Sequence, residues 1–312
     1  MMRPSDRRGF ALLATLWVLA VLAGVAVTVM AAARAERRAT VNAATEARSR
    51  WAVAAGLAIL LDELQDGSAE HSLQVLTRPA DSTVPPVRFR MNGLDTRVDI
   101  VDARSRLNLN LSDSLQLRRL LEAVGVAGPK AAALTSAVLD WRDPDSTRRP
   151  DGAEAPDYAD LRPPAAPRNG PFDTGADIRE VLGVGDALAA RLEMLVGADG
   201  DGRVNVNSAP AAVLASLPGV SLEGAHRLVA RRRQGAFQNV YDLVGSLPPE
   251  DANRIRSDLD QFQARIAFSP RDLELTITAA EGGAVVSRLR AVVRMGGGTT
   301  MEILRLHRLG RP

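Results

Sequence analysis

Arg7-Arg8-Gly9-Phe10-Ala11-Leu12-Leu13-Ala14-Thr15, continuing without a charge as far as Ala33, is the stretch that decides how this chain is built. The uncharged run from Phe10 is 24 residues long, about the length of a helix that crosses a bilayer. Arg3, Arg7 and Arg8, against one Asp6, form a short basic leader. That asymmetry places the N-terminus in the cytoplasm and Arg34 onward across the membrane. A secretory signal would have a shorter apolar core with its small cleavage residues behind it. Here Gly9 stands before the run, so a cut there would leave the helix on the mature chain. An uncleaved signal anchor fits the same residues.

The helix is expected to continue past the membrane. From Phe10 to Asp66 there is no proline, and 57 helical residues would span roughly 85 Å. Ala44, Ala47, Trp51, Ala55, Ala58 and Leu61 recur at helical spacing and mark an apolar stripe that needs a cover. Short alternating segments supply one: Val87–Arg90 and Arg97–Val101 around Asn92-Gly93, then Leu273–Ile277, Val285–Arg294 and Thr300–Leu309. These five strands predict one antiparallel sheet, split in sequence by a helical, proline-punctuated middle. The fold class is therefore α+β, with an all-helical domain inserted between strands of one sheet, as is tolerated where the ends of a loop lie close together. The expected divisions are a leader at 1–9, a membrane helix at 10–33, a sheet domain begun by 34–103 and completed by 268–312, and the insertion at 104–267.

Composition narrows the chemistry. The 312 residues carry a formal charge of +2, and removal of residues 1–9 brings it to about zero, so charge gives no case for nucleic-acid binding. Lys130 is the only lysine. The absence of cysteine excludes thiol catalysis, disulfides and thiolate metal sites. His71, His226 and His307 lack ligand spacing, which speaks against zinc. No nucleophile–base constellation, phosphate loop or paired-carboxylate cleft stands out, so no catalysis is expected.

The insertion contains a repeat. Leu107-Asn108-Leu109-Asn110 is echoed by Val204-Asn205-Val206-Asn207. A helical stretch, a glycine turn (Gly125-Val126 or Pro218-Gly219-Val220), a second helix and an Asp177-Ile178 or Asp242-Leu243 opening follow in each copy. The pattern is that of a duplicated helix-hairpin-helix. In its second copy Ser221-Leu222-Glu223 lengthens the turn, and Glu223 sets a carboxylate where a phosphate would sit. Arg231-Arg232-Arg233 would be left to contact a nucleic-acid backbone, or simply to face solvent.

The first copy is interrupted by an acidic loop, Asp140-Trp141-Arg142-Asp143-Pro144-Asp145, then Asp151-Gly152-Ala153-Glu154 and Asp157-Tyr158. Clustered carboxylates suit a hard cation such as calcium. An exposed, proline-rich loop kept soluble by acids accounts for the same composition. The spacing is not that of an EF-hand. Asp199-Gly200-Asp201-Gly202 reads as a turn.

The leader resembles that of type IV pilin-like proteins, in which a prepilin peptidase cuts after glycine and methylates the new N-terminal phenylalanine; here these are Gly9 and Phe10. Most such subunits carry glutamate at the fifth mature position, where this chain has Ala14. With the split sheet, the duplicated hairpin and the Asp-Trp…Asp-x-Asp…Gly-Ala-Glu…Tyr loop, the whole chain resembles the K-class minor pseudopilins of type II secretion. The resemblance implies a pilin-like domain and a filament-tip role that initiates assembly and supports export of folded proteins across the outer membrane. It implies calcium in the helical domain, carried here by Asp140, Asp143, Asp145 and Glu154, with Asp157 beside them. The implied partners are the I- and J-class minor pseudopilins, the major pseudopilin and the peptidase. The implied place is the inner membrane, with the bulk in the periplasm. Two other readings start from the same leader: a membrane-tethered helix-hairpin-helix DNA receptor of competence type, and a minor pilin of a surface type IV pilus.

Overall fold

The computed structural model describes residues 4–65, 87–91, 93–159, 161, 165–296 and 301–309. One helix, α1 (Pro4–Gln65), runs unbroken for 62 residues and takes Gly9 and Phe10 into its first turns. Its segment Thr15–Ile59 is long and apolar enough to cross a membrane, and none of its most apolar window is buried. Leu16, Trp17, Val18 and Leu22 are all more than half exposed. Such a surface is stable only in hydrocarbon or against other helices. Thr28 returns its hydroxyl to the Val25 carbonyl at 2.8 Å, so it offers no bare donor there.

After α1 come strands β1 (Val87–Met91) and β2 (Leu94–Asp102). The chain then leaves the sheet for a helical domain and returns in β7 (Asp272–Glu281), β8 (Ala284–Met295) and β9 (Met301–Leu309). The order across the sheet is β1-β2-β7-β8-β9, and every pairing is antiparallel. Strand β2 meets β7 with Val98 opposite Ile277, so the two sides of the insertion are adjacent strands. All five expected strands are present. Asn92 and Thr300 lie outside the described residues.

Alternation divides the sheet into two faces. Leu94, Val98, Leu273, Leu275, Ile277, Leu289, Ala291 and Val293 point to one side and form a core with α1. The part of α1 that enters this core is Ala52, Val53 and Leu57. The expected stripe is therefore displaced. Trp51 is 72 % exposed, and Ala44, Ala47 and Ala58 are exposed with it. The outer half of α1 is rich in small apolar residues on several faces, so helical spacing alone does not single out the face the sheet covers. Ala55 is half-buried, and the Leu61 side chain is outside the described residues.

The inserted domain has two units on one continuous core. The first runs from β3 (Leu107–Asn108) through α2 (Ser114–Ala123), α3 (Gly128–Arg142), α4 (Ala155–Ala159) and α5 (Asp186–Leu192) to β4 (Val196–Gly197). The second runs from β5 (Val204–Asn205) through α6 (Ala211–Ala215), α7 (Leu222–Arg232), α8 (Val240–Gly245), α9 (Pro249–Arg256) and α10 (Leu259–Arg265) to β6 (Ile266–Ala267). Each unit is closed by a short parallel pair, β3 with β4 and β5 with β6, so the domain is not all-helical. The Asn-x-Asn signature builds these closures. Asn110 donates to the Phe172 and Ala198 carbonyls and accepts from the Phe172 N–H at 2.8 Å. Asn207 does the same with the Phe237 and Phe268 carbonyls and the Phe237 N–H, also at 2.8 Å. Each amide thus ties three strand and loop segments at once, which explains its repetition.

Ion pairs seat the helical domain on the second face of the sheet. Glu274 of β7 pairs with Arg106 at 3.2 Å and Arg290 at 3.0 Å; Asp199 pairs with Arg290 at 3.2 Å and Arg305 at 3.3 Å. Both acids are nearly buried. The Asp199–Gly202 stretch is the expected turn, with its acids committed to arginines, Asp201 to Arg104 at 2.6 Å.

Candidate metal centre in the acidic loop

Helix α3 delivers Asp140 and Trp141 to the floor of the loop, and Asp143 ends it in extended conformation. Trp141 lies 5.7 Å from Tyr158 and 6.2 Å from Phe172, ring centre to ring centre, and all three rings are buried. This aromatic layer fixes the base on which the carboxylates stand. Burial pushes the Tyr158 hydroxyl up to about 12, although it accepts the Leu182 N–H.

The five acids named from the sequence have different surroundings. Asp140 is fully buried and committed to the loop. Its Oδ2 accepts the Ala153 N–H at 3.0 Å and the Arg149 N–H at 3.2 Å, and its Oδ1 accepts Arg149 Nη1 at 2.7 Å. Gly152 belongs to the same clamp, because a Cβ there would overlap Asp140 Oδ2. Asp157 stands at the third position of α4. It accepts the Glu154 N–H at 2.9 Å and pairs with Arg148 at 3.3 Å, which is a helix-start role.

Asp143, Asp145 and Glu154 converge, each offering an oxygen within 4.8 Å of the others. Asp145 accepts the Thr147 N–H at 2.7 Å, and that hydrogen bond holds its carboxyl below the usual range. Asp143 gives Oδ2 to Arg149 and keeps Oδ1 buried without a partner. Glu154 is 2 % exposed, and neither of its oxygens has a hydrogen-bond partner. Burial first, then the charges of Asp140 and Asp143, push its carboxyl above the usual range. A bare carboxylate held beside two others is a costly arrangement that a cation relieves. The donors are all oxygen, which suits calcium or another hard cation and not zinc. The residues present fit the ion.

The glycine turn of the second unit is filled from within. Asp251 Oδ2 accepts the Ser221 N–H at 2.9 Å and its hydroxyl at 2.7 Å, at the start of α7. The carboxylate that stands where a phosphate would bind is thus Asp251, and Glu223 pairs along the helix with Arg227. Arg232 is buried and donates to the Val206 and Ala209 carbonyls, while Arg231 pairs with Asp242 and stacks on Phe237. Arg231 and Arg232 are thus engaged within the unit and only Arg233 of the three is exposed; the DNA-receptor reading is not favoured.

Two family models, each described as type II secretion system protein K, match residues 88–199 and 204–265, together more than half of the chain. The chain belongs to the protein K family of type II secretion. The gap between the two matches falls between β4 and β5, where one unit gives way to the next. A type II secretion system protein K from Pectobacterium carotovorum is 26 % identical over 273 residues, 80 % of this chain and 83 % of the relative. One from Pseudomonas aeruginosa is 28 % identical over 259 residues, 77 % of each. Among solved structures, a chain of the GspK–GspI–GspJ complex from the enterotoxigenic Escherichia coli type 2 secretion system has the same fold, with a TM-score of 0.62. That match has 17 % identity and covers 85 % of this chain and 99 % of the other. As a protein K, the chain is a minor pseudopilin, a structural part of a secretion machine. The type IV pilus reading is not favoured either.

Proposed function

We propose that this protein K caps the pseudopilus, starts its assembly together with I- and J-class minor pseudopilins, and holds calcium in its acidic loop. The observation that carries the tip role is the order of parts: an exposed apolar rod, a sheet packed on its outer half, and a large two-unit domain inserted between β2 and β7. The rod and sheet are the parts of a pilin-like subunit, which finds shelter among the rods of its neighbours. The inserted domain is bulk that a repeating filament does not need and that stops further stacking. Its paired units reuse the helix-hairpin-helix as a scaffold, with the phosphate site filled by Asp251. The matched chain of known structure comes from a complex with GspI and GspJ, which supports the same pairing here.

On this reading the prepilin peptidase cuts after Gly9 and methylates Phe10. The helix stays in the inner membrane with the helical domain in the periplasm. Ala14 leaves this subunit without a carboxylate to answer a neighbour's terminal amine. A first subunit has no need of one. Calcium is held by Asp143, Asp145 and Glu154, over the base that Asp140 clamps. When bound, it supplies the charge that lets three crowded carboxylates stand together, and so it fixes the loop.

The test is co-purification of the full chain, in detergent, with the I- and J-class pseudopilins of its own host. A stable complex at micromolar concentration is expected. A chain that elutes alone beside an intact I–J pair would refute the assignment.

A further inference from the structure

We infer that Arg149 sets the cation affinity of the acidic loop by holding the carboxylates in place without itself touching the ion. The inference rests on the proposed calcium site. Clustered acids alone would not define such a site; Glu154 does, because it is 2 % exposed, both its oxygens lack partners, and it faces the Asp143–Asp145 pair.

Arg149 enters this arrangement from behind. Its Nη1 donates to Asp140 Oδ1 at 2.7 Å and to Asp143 Oδ2, and its backbone N–H reaches Asp140 Oδ2 at 3.2 Å. Asp143 keeps its other oxygen, Oδ1, buried and unpartnered. One guanidinium nitrogen therefore fixes Asp143 at the end of α3 and leaves a lone oxygen for the ion.

Two effects oppose each other. A guanidinium close to a divalent cation repels it, which predicts tighter binding once the arginine is removed. Against this, the arginine's charge is already committed. Asp140 is fully buried and needs a counter-charge, so the Asp140–Arg149 pair presents little net charge to the ion. Removing Arg149 strands Asp140 and frees Asp143 to swing away from Glu154, since like charges within 4.8 Å repel. Positioning wins. Groups that orient a metal ligand from behind are typically worth about 10–100-fold in affinity.

The experiment titrates calcium chloride into the full chain in detergent by calorimetry, for wild type, Arg149→Gln and Arg149→Lys. Near-ultraviolet circular dichroism in chelator reports aromatic rings held in fixed surroundings, which the buried Trp141–Tyr158–Phe172 layer has and the exposed Trp17, Trp51 and Tyr241 lack, and so tells a misplaced ligand from a collapsed loop. Arg149→Gln is expected to keep the aromatic signal and bind about 10–100-fold more weakly. Arg149→Lys, with one ammonium between the same acids, is expected to fall between the two. Should Arg149→Gln lose the aromatic signal, Arg149→Lys decides alone: weaker binding than wild type supports the inference. Binding by either variant at or above wild-type affinity, with the signal intact, overturns it. Failure of wild type to bind calcium would instead remove the site itself.

Discussion

Calcium will reverse the stability ranking of two chains that differ only at residue 154. In chelator, Glu154→Gln should unfold at a higher temperature than wild type at neutral pH. The substitution removes a carboxylate that burial and the charges of Asp140 and Asp143 oppose. In calcium the order inverts. At a hundredfold excess over its dissociation constant, the ion adds about 2.7 kcal/mol to wild type by mass action. For a domain of this size that is a rise of about 5–10 °C. Glu154→Gln should show almost none of it.

The pH dependence follows with a definite sign. The folded Glu154 carboxyl lies above its ordinary value, so its proton stabilises the metal-free fold. That stabilisation is full below the ordinary carboxylate range and is lost as pH rises through the raised value. The metal-free chain therefore gains from this group on acidification from neutrality. The calcium-loaded chain loses, because protons compete with the ion. Thermal melts in calcium and in chelator, from neutral pH down, would read both trends. Identical melts in both solutions would remove calcium from the account.

The second large effect lies at the joint between sheet and helical domain. Asp102 ends β2 and is 2 % exposed. Its Oδ1 accepts the Arg104 N–H at 3.0 Å; its Oδ2 accepts Asn205 Nδ2 at 2.8 Å and the Ser208 hydroxyl at 2.6 Å. One carboxylate thus ties the last residue of a sheet strand to the first turn of the second unit. Asp102→Ala leaves three buried donors without an acceptor, each costing about 1–3 kcal/mol; relief of the burial that pushes the Asp102 carboxyl above its usual range offsets part of this, so a net loss of about 3–5 kcal/mol is expected. Asp102→Asn keeps one acceptor but turns an amide donor toward other donors, and should lose less. Urea unfolding of both variants checks the ranking. Faster amide exchange at residues 205–208 would place the damage at the joint. A loss under about 1 kcal/mol for the alanine variant would mean that the joint is held elsewhere.

Much of this architecture was legible because the physics is local. Alternation gave the strands Leu273–Ile277 and Val285–Arg294, and the unbroken apolar run from Phe10 gave the rod. Other features depend on partners far away in sequence. Trp51 and Ala52 are adjacent residues in an apolar stretch, and only the sheet decides that Ala52 is buried and Trp51 is not. Two-residue strands such as Leu107–Asn108 carry no period to detect, although the Asn-x-Asn repeat marked their place. In the loop, Asp140 and Asp143 are equivalent as letters. The fold separates them through Arg149, Ala153 and Gly152; the last two stand out in the sequence as the Gly-Ala of Gly-Ala-Glu, but nothing in the letters ties them to Asp140. Arg232 looked like part of a surface cluster and is a buried tie to the Val206 and Ala209 carbonyls, a role set by where the end of α7 meets the chain that follows β5.

The tip role is tested most directly by seeing where the protein sits. An epitope in the helical domain, decorated with gold on pseudopili sheared from cells that overproduce the major subunit, gives the answer by electron microscopy. Label confined to one end of each filament is the predicted result. Label repeated along the filament shaft would contradict it.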